Sequence, residues 1–137
     1  MTEHIVVTNG VHHVGLTVVN LVPVQQFFVN VLGFKVLGER PEYPAVFLSD
    51  DITMITLWQV RDPLIATPFD RKNVVGLHHL AFTINDDAEL DNLHRRLDGL
   101  DSVTVEFAPE NLGNGPARHF IALIPSGIRV EFIAPNK

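Results

Sequence analysis

Two stretches of the chain, 66 residues apart, share one alternation of apolar and polar positions. Residues 11–18 read VHHVGLTV and residues 77–84 read LHHLAFTI. Alternate residues of a β-strand lie on the same face, so each stretch predicts a strand with bulky apolar side chains on one face. The other face carries small residues behind a histidine, His13 in the first copy and His79 in the second. The pattern therefore predicts a duplicated unit.

The same offset continues into two amphipathic segments. Residues 20–34 (NLVPVQQFFVNVLGF) and 86–100 (DDAELDNLHRRLDGL) carry apolar residues three and four positions apart, which is typical of one helix face. Asn20 and Asp86 are predicted N-caps, and Gly33 and Gly99 lie where a C-terminal cap glycine is expected. Each half is thus predicted to begin with a strand and an amphipathic helix. The predicted buried helix positions are Val24, Phe27, Val31, Leu90, Leu93 and Leu97.

Each half then ends in strands separated by turn residues. Asp50-Asp51 in the first half and Pro125-Ser126-Gly127 in the second are predicted hairpin turns. Residues 109–116 contain two Gly, two Pro and two Asn, and are predicted to form a mobile flap. The predicted strands around these turns span residues 35–39, 45–49, 52–59, 103–107, 117–124 and 128–134.

These elements predict an α+β fold of two repeated βαβββ modules. The modules span about residues 10–60 and 76–135, joined by a linker at about 61–75, within one domain of residues 1–137. One module cannot cover both faces of its sheet, so the halves are expected to pack on each other or on a second chain. We expect a concave, partly closed barrel-like sheet with the helices outside, and a homodimer.

Composition excludes several classes of protein. With 46% apolar and 19% charged residues the chain is predicted to be globular, and its net charge of −6 without a Lys/Arg cluster argues against nucleic-acid binding. No apolar run is long enough to span a membrane, and the N-terminal MTEHIVVTNG does not resemble a secretory signal. Cysteine is absent, which excludes disulfides and thiolate ligands. The expected location is the cytoplasm.

The seven histidines point to a metal site. Glu131 lies between Val130 and Phe132 in the predicted last strand, where a carboxylate is costly unless it is paired or binds a metal ion. Together with His13 and His79 it would form a two-His-one-carboxylate set with open positions for substrate. The alternative for Glu131 is a salt bridge to Arg129. For the other histidines, we expect His119 to bind substrate or transfer a proton, His12 and His78 to pack or support the ligands, and His4 and His94 to be surface residues.

At these residues the sequence resembles the vicinal oxygen chelate superfamily. Its members include glyoxalase I, extradiol dioxygenases, fosfomycin-resistance thiol transferases and bleomycin-resistance proteins. The resemblance covers nearly the whole chain, and it rests on HHVGLTV, QQFFVNVLGFKV, GLHHLAFTI and PSGIRVEFI. It implies that His13, His79 and Glu131 hold a divalent metal ion, with Fe(II) or Mn(II) preferred and Zn or Ni as alternatives.

Departures from the family patterns narrow the range of reactions that the resemblance implies. The fourth glutamate ligand of glyoxalase I falls on Ile55 or Thr56, depending on hairpin register, and the tyrosine of extradiol dioxygenases falls on Ile121. The resemblance therefore implies a dioxygenase-like or lyase-like enzyme that binds adjacent oxygens of a small organic substrate. The alternatives are a non-catalytic binding protein of bleomycin-resistance type and a glyoxalase I-like lactoylglutathione lyase. The expected proton-transfer residue is His119, and the expected substrate-binding residues are Arg118, Arg129, Phe47 and Trp58.

Overall fold

The computed structural model describes residues 4–137 and contains two compact units. The units are Met1–Ala66 and Thr67–Lys137, so their boundary falls within the predicted linker. Residues 1–3, which belong to the N-terminal stretch examined for a secretory signal, lie outside the described residues. Within residues 4–137, the helices are too short or too polar to cross a bilayer.

The first unit is a four-stranded mixed sheet with one helical segment. Its sheet has the order β1-β4-β3-β2, in which β1 and β4 are parallel and the other pairs are antiparallel. The helical segment begins as α1 and continues through a π-helical turn at Phe27–Val31. The elements are β1 (His13–Val18), α1 (Leu21–Gln26), β2 (Lys35–Arg40), β3 (Ala45–Ser49) and β4 (Met54–Gln59).

The second unit repeats this topology. Its sheet has the order β5-β8-β7-β6, again with one parallel pair, β5 and β8. A short helical turn at Pro125–Gly127 joins β7 to β8, as the hairpin prediction requires. The elements are β5 (Leu80–Thr83), α2 (Asp87–Asp98), β6 (Thr104–Asn111), β7 (Arg118–Ile124) and β8 (Ile128–Ala134). The predicted α+β fold with two βαβββ modules is confirmed.

The core of each unit lies between its helix and one face of its sheet. Leu90, Leu93 and Leu97 of α2 are buried, and so are Val24 and Phe27 in the first unit. On the sheet of the second unit, Phe120 and Phe132 are fully buried with ring centroids 5.2 Å apart. The apolar helix positions predicted from spacing are therefore the ones that pack, except that Val31 is only half-buried.

The two helices are capped differently. The Asp86 side chain accepts a hydrogen bond from the Glu89 backbone N–H at 2.9 Å, as expected for an N-cap. Asn20 occupies the N-cap position without a side-chain cap, and the Gln59 side chain instead accepts from the Leu21 N–H at 2.9 Å. Gly33 has φ +81°, which allows the chain to leave the first helical segment.

Several predicted boundaries were wrong. The strand expected at 77–84 begins only at Leu80, and β6 extends to Asn111 through part of the predicted flap. The strand expected from residue 52 begins at Met54, because the Asp50 side chain accepts from the Ile52 and Thr53 N–H groups and lengthens the turn.

His94 is half-buried and not a surface residue as predicted, since the centroid of its ring lies 5.5 Å from that of the Phe120 ring.

Candidate functional site

The sheet of the second unit has one face that turns away from α2 and carries the candidate residues. In the antiparallel pair of β7 and β8, His119 lies opposite Ile133, Ile121 opposite Glu131, and Leu123 opposite Arg129. Directly paired residues share a face, so Glu131 and Arg129 lie on the same face as His119. The other face carries the phenylalanines that form the core with α2. The strand alternation predicted this division.

Glu131 is a buried carboxylate that contacts two imidazole rings. It is only 8% exposed, and its Oε2 lies 2.5 Å from His119 Nδ1. Its Oε1 lies 3.3 Å from His79 Nε2. A buried carboxylate is costly unless hydrogen-bonding groups or cations surround it, so this convergence explains how the chain tolerates Glu131 within an apolar strand.

His119 is held on both sides. The residue is 9% exposed, and its ring lies edge to face with the Phe107 ring at a centroid distance of 5.1 Å. Because its Nδ1 contacts Glu131, Nε2 is the ring atom that remains for exchanging a proton with another molecule. The structure thus brings His79, His119 and Glu131 together within one unit.

Arg129 contacts Glu106 rather than Glu131. Its Nε donates to Glu106 Oε1 at 2.7 Å and its Nη2 to Glu106 Oε2 at 2.9 Å, a bidentate pair. Its Nη1 lies 3.0 Å from the His78 carbonyl oxygen and 3.1 Å from His78 Nδ1. The hydrogen bond from Arg129 lowers the pKa of Glu106, and that from Glu106 raises the pKa of Arg129. Every nitrogen of this guanidinium therefore already contacts an acceptor of the protein.

A β-bulge delivers Glu106 to Arg129. Val105 pairs with Ala122 and Phe107 with Ile121, so β6 contains one residue more than β7 between these two pairs. The extra residue is Glu106, and Arg71 Nη1 also reaches its Oε1 at 3.2 Å. Glu106 was not predicted from the sequence, because the bulge is a property of the strand pairing and no local pattern marks it.

The pKa of His78 is lowered, chiefly by the loss of solvent around its ring and then by the nearby positive charge of Arg129. The positive charge of Arg71 acts in the same direction, and the negative charge of Glu106 acts against it. His78 is consequently favoured as a neutral ring.

Arg118 lies on the opposite face of the sheet. Its Nη2 lies 3.3 Å from Asp91 Oδ1 and its Nη1 3.5 Å from Asp87 Oδ1, both on α2. The hydrogen bond to Asp91 is the main reason that the pKa of Arg118 is raised. Arg118 therefore lies on the face opposite to Glu131, whereas Arg129 shares the face of Glu131 without an ion pair to it.

A cavity of about 370 Å³ lies beside Arg129 in the second unit. Leu123 and Gly127 contribute to its lining, with Glu106 and Arg129 on the sheet side. The segment that precedes β5 completes it with Phe69, Asp70, Arg71 and Lys72. All residues that line this cavity belong to the second unit, and Arg129 is the candidate site residue among them.

In the first unit, His13 is the first residue of β1 and is exposed. Its Nδ1 lies 2.9 Å from His12 Nδ1, just as His79 Nδ1 lies 2.8 Å from His78 Nδ1. The duplicated histidine pairs therefore adopt the same contact in both copies. Because His13 and Glu131 belong to different units, the joint ligand set of His13, His79 and Glu131 stays a prediction.

The register of the first unit shows which residue corresponds to Glu131. Gly15 pairs with Thr56, and Ala81, the repeat counterpart of Gly15, pairs with Glu131. Thr56 therefore occupies the position that the sequence left open between two residues. Its hydroxyl accepts a hydrogen bond from Trp58 Nε1 at 2.8 Å. A carboxylate ligand is absent at this position.

Phe47 and Trp58 lie on the same face of the first sheet as Thr56. Phe47 pairs with Thr56, and Trp58 follows it by two residues. The Trp58 ring lies 5.7 Å from that of Phe47 and 4.8 Å from that of Tyr43. Phe47 and Trp58, the two aromatic residues predicted to bind substrate, thus form one aromatic cluster with Tyr43.

The donor atoms of the second unit suit a divalent cation. His79 Nε2 and Glu131 Oε1 are 3.3 Å apart, and imidazole nitrogen with carboxylate oxygen is a usual ligand combination for Fe, Mn, Zn and Ni. As the side chains stand among residues 4–137, no three His, Asp or Glu residues are arranged to hold a metal ion. The residues present therefore fit two ligands of such a site, and a complete set is a proposal.

The family follows from a comparison with protein-family models. Residues 10–132 match the model of the glyoxalase/bleomycin resistance protein/dioxygenase superfamily. The chain belongs to this superfamily. The match includes His13, His79 and Glu131, and it spans both modules. A comparison with curated protein sequences gives no significant match.

Solved structures share the superfamily fold. A domain of this superfamily from Frankia sp. EAN1pec has a TM-score of 0.79 and 22% identity, covering 95% of this chain and 94% of that one. A lactoylglutathione lyase from Agrobacterium tumefaciens has a TM-score of 0.71 and 24% identity, with coverages of 95% and 96%. A genomically encoded fosfomycin resistance protein from Listeria monocytogenes has a TM-score of 0.72 and 17% identity, covering 93% of each chain. At these identities the similarity concerns the fold.

Proposed function

We propose that this chain is a metal-dependent enzyme that acts on a small organic substrate with adjacent oxygen atoms. His13, His79 and Glu131 would hold a divalent ion, Fe(II) or Mn(II) in preference to Zn or Ni. The reaction is dioxygenase-like or lyase-like. The observation that carries the proposal is the buried carboxylate of Glu131, whose Oε1 lies 3.3 Å from Nε2 of a histidine that the repeat duplicates.

The bound ion would supply Lewis-acid stabilisation of negative charge that develops on substrate oxygens. The residues of the chain have separate roles around it. Glu131 contributes its Oε1 on the His79 side, while His119 Nδ1 holds Oε2 at 2.5 Å. This second contact fixes the plane of the carboxylate. His119 Nε2 would then exchange a proton with the substrate.

The first unit would provide an apolar wall and not a fourth ligand. Phe47 and Trp58 share the face on which Thr56 replaces the carboxylate expected of glyoxalase I. The Thr56 hydroxyl already accepts from Trp58. The threonine in place of a carboxylate at this position supports a dioxygenase-like or lyase-like reaction over a glyoxalase I-like one.

Metal content tests the proposal. Wild type, Glu131→Gln and His79→Ala would be loaded anaerobically with Fe(II), Mn(II), Zn(II) or Ni(II), desalted and analysed by elemental mass spectrometry. We expect about one ion per wild-type chain and a loss of most of it in both variants. His4→Ala is the matched control, since His4 is exposed and lies outside the site. Wild type without any bound ion would exclude the metal-dependent enzyme and favour the non-catalytic binding protein.

A substrate panel then separates the reactions. Oxygen uptake with catechols would identify a dioxygenase, and turnover of the methylglyoxal–glutathione adduct would identify a glyoxalase I-like lyase despite Thr56. Consumption of fosfomycin in the presence of a thiol would identify a transferase. His119→Gln should lower turnover of the active substrate strongly while the protein still retains its metal ion. Unchanged turnover in this variant would remove His119 from the proposed chemistry.

A further inference from the structure

The cavity beside Arg129 has an apolar side and a charged side. Phe69 and Leu123 are half-buried and contribute the apolar side. The charged side is formed by Glu106, Arg129 and the segment of residues 70–72. The volume of about 370 Å³ is within the usual range for sites that bind small molecules. This lining suits a small organic ligand that has an apolar body and a charged group.

The guanidinium of Arg129 is already occupied by protein acceptors. Its Nε and Nη2 donate to the two oxygens of Glu106, and its Nη1 lies 3.0 Å from the His78 carbonyl oxygen. Arg129 is also only 8% exposed, so a ligand in the cavity has little access to it. Among the residues that line the cavity, the cations that remain for an anionic ligand are Arg71 and Lys72.

The segment of residues 70–72 holds these two cations next to each other. Asp70 Oδ1 accepts from the Lys72 backbone N–H at 2.9 Å, and the Asp70 carbonyl oxygen accepts from the Asn73 N–H at 3.1 Å. Such a side-chain hydrogen bond two residues along the chain is typical of an Asx turn. The backbone that carries Arg71 and Lys72 is therefore ordered before a ligand binds, which reduces the entropy that binding costs.

The lining of the cavity carries a surplus of positive charge. Arg71 Nη1 lies 3.2 Å from Glu106 Oε1, so this carboxylate is shared by two guanidinium groups. Lys72 is exposed, and within residues 4–137 its ammonium forms no ion pair. With Asp70 included, the lining has three cations and two carboxylates, in a chain whose net charge is −6. A local excess of positive charge on an acidic protein favours an anionic ligand at this place.

We propose that Arg71 and Lys72 bind an anionic group of the substrate, a carboxylate or a phosphate, in the cavity beside Arg129. Guanidinium and ammonium groups are the side chains that bind both anions. Arg129 and Glu131 share one face of β8 two residues apart, a separation of about 7 Å, so a small molecule held here reaches towards Glu131. The reaction near Glu131 rests on the proposed function, whereas the binding of the anion does not.

An NMR titration of the metal-free protein tests the anion site alone. Spectra of ¹⁵N-labelled protein would be recorded with benzoate and with phenyl phosphate, up to tens of millimolar. The backbone signals of residues 69–72 should shift in a saturable way with at least one of the two, and the one that binds identifies the anion. Benzamide, the neutral analogue of benzoate, should shift them much less. Absence of shifts with both anions, shifts confined to other residues, or equal affinity for benzamide would overturn the proposal.

Substitution of the two cations tests their contacts with the anion. Lys72→Met and Arg71→Met should each weaken its binding about 2- to 5-fold, as expected for exposed ion pairs. Lys35→Met is the matched control, because Lys35 is an exposed lysine of the first unit that pairs with Asp51 at 3.5 Å. This control removes the same charge and should leave the affinity unchanged. Equal weakening by Lys72→Met and Lys35→Met would reveal an effect of overall charge and would overturn the proposal.

Asp70→Asn should strengthen binding, a result that a folding defect does not produce. The amide oxygen of asparagine still accepts from the Lys72 N–H, so the turn is retained while a negative charge beside the anion is removed. We expect the affinity for the anion to rise about 2-fold, in keeping with the size of exposed charge interactions. An unchanged or lower affinity in a folded Asp70→Asn variant would contradict the position of the anion beside this turn.

The metal-loaded protein relates the anion site to the proposed function. Protocatechuate has the two adjacent hydroxyl groups of catechol and a carboxylate in addition. Wild type should bind protocatechuate more tightly than catechol in calorimetry, and Lys72→Met should reduce this preference. Equal affinities for the two would overturn the inference and leave the metal-dependent enzyme intact. If wild type binds no metal ion, the proposed function fails, and the titration of the metal-free protein still decides whether the cavity binds an anion.

Discussion

The ion pair between Glu106 and Arg129 makes a measurable prediction about stability. Glu106→Gln retains the size of the side chain and removes the charge that faces a guanidinium with 8% exposure. One carboxylate oxygen, which accepts at 2.7 or 2.9 Å in the wild type, is replaced by an amide N–H that cannot accept. Breaking a fully buried pair costs about 3–5 kcal/mol. The Glu106 side chain is 18% exposed and its charge is partly solvated, so we expect a smaller loss of about 2–3 kcal/mol.

The loss of stability in Glu106→Gln should depend on pH, and the direction of this dependence follows from the pKa of Glu106. The pKa of Glu106 is lowered in the folded state, chiefly by the hydrogen bond from Arg129. A lowered pKa contributes stability that is fully present above the ordinary glutamate value of about 4.3 and is lost as the pH falls through the folded-state value. The difference between wild type and Glu106→Gln should thus be largest at neutral pH and shrink below about pH 4.

Urea unfolding followed by far-ultraviolet circular dichroism measures both quantities. Glu110→Gln is the matched control, because Glu110 lies on the same strand but is exposed. It should change the free energy of unfolding by less than about 0.5 kcal/mol. A Glu106→Gln variant as stable as this control at pH 7, or one whose deficit persists unchanged in acid, would refute the reasoning.

Three further substitutions test local features, two by the same unfolding measurement and the third by tryptophan fluorescence. Asp86→Ala removes the side-chain cap on the Glu89 N–H and should cost about 1 kcal/mol, and no loss would show that water replaces the cap. Gly33→Ala should cost about 1 kcal/mol because a Cβ is unfavourable at φ +81°, and a stabilised variant would disprove this. Gly15→Ala places a Cβ 3.2 Å from Thr56 Oγ1, the atom that accepts the hydrogen bond from Trp58 Nε1. Because the hydroxyl has to move, the emission maximum of Trp58 should shift. An unchanged emission spectrum would mean that the threonine hydroxyl does not move.

Local patterns predicted much of the fold, because they depend on side chains that are close in sequence. The spacing of Leu90, Leu93 and Leu97 identified the buried face of α2, and Asp86 identified its N-cap. The alternation in β8 placed Glu131 on the face opposite the core. The π-helical turn at Phe27–Val31 and the late start of β5 were not predicted, since both depend on how the segments pack.

The candidate site also has a part that the sequence predicted and a part that it did not. His79, His119 and Glu131 were proposed from type and strand position, and the structure brings them together in one unit. Substrate contact through Arg129 stays a prediction, although its guanidinium already contacts Glu106 and His78. A residue type that binds anions in general does not reveal which anion is its partner.

The sequence by itself determined the duplication, the two βαβββ modules and the pair of adjacent histidines in each copy. These features follow from periodicity, which each segment carries on its own. Only the tertiary structure decided that Thr56 is the counterpart of Glu131 and that a bulge brings Glu106 to Arg129. Both depend on strand register, and a shift of one residue would reverse which side chains share a face. Register is fixed by packing and hydrogen bonding between strands that are distant in the sequence.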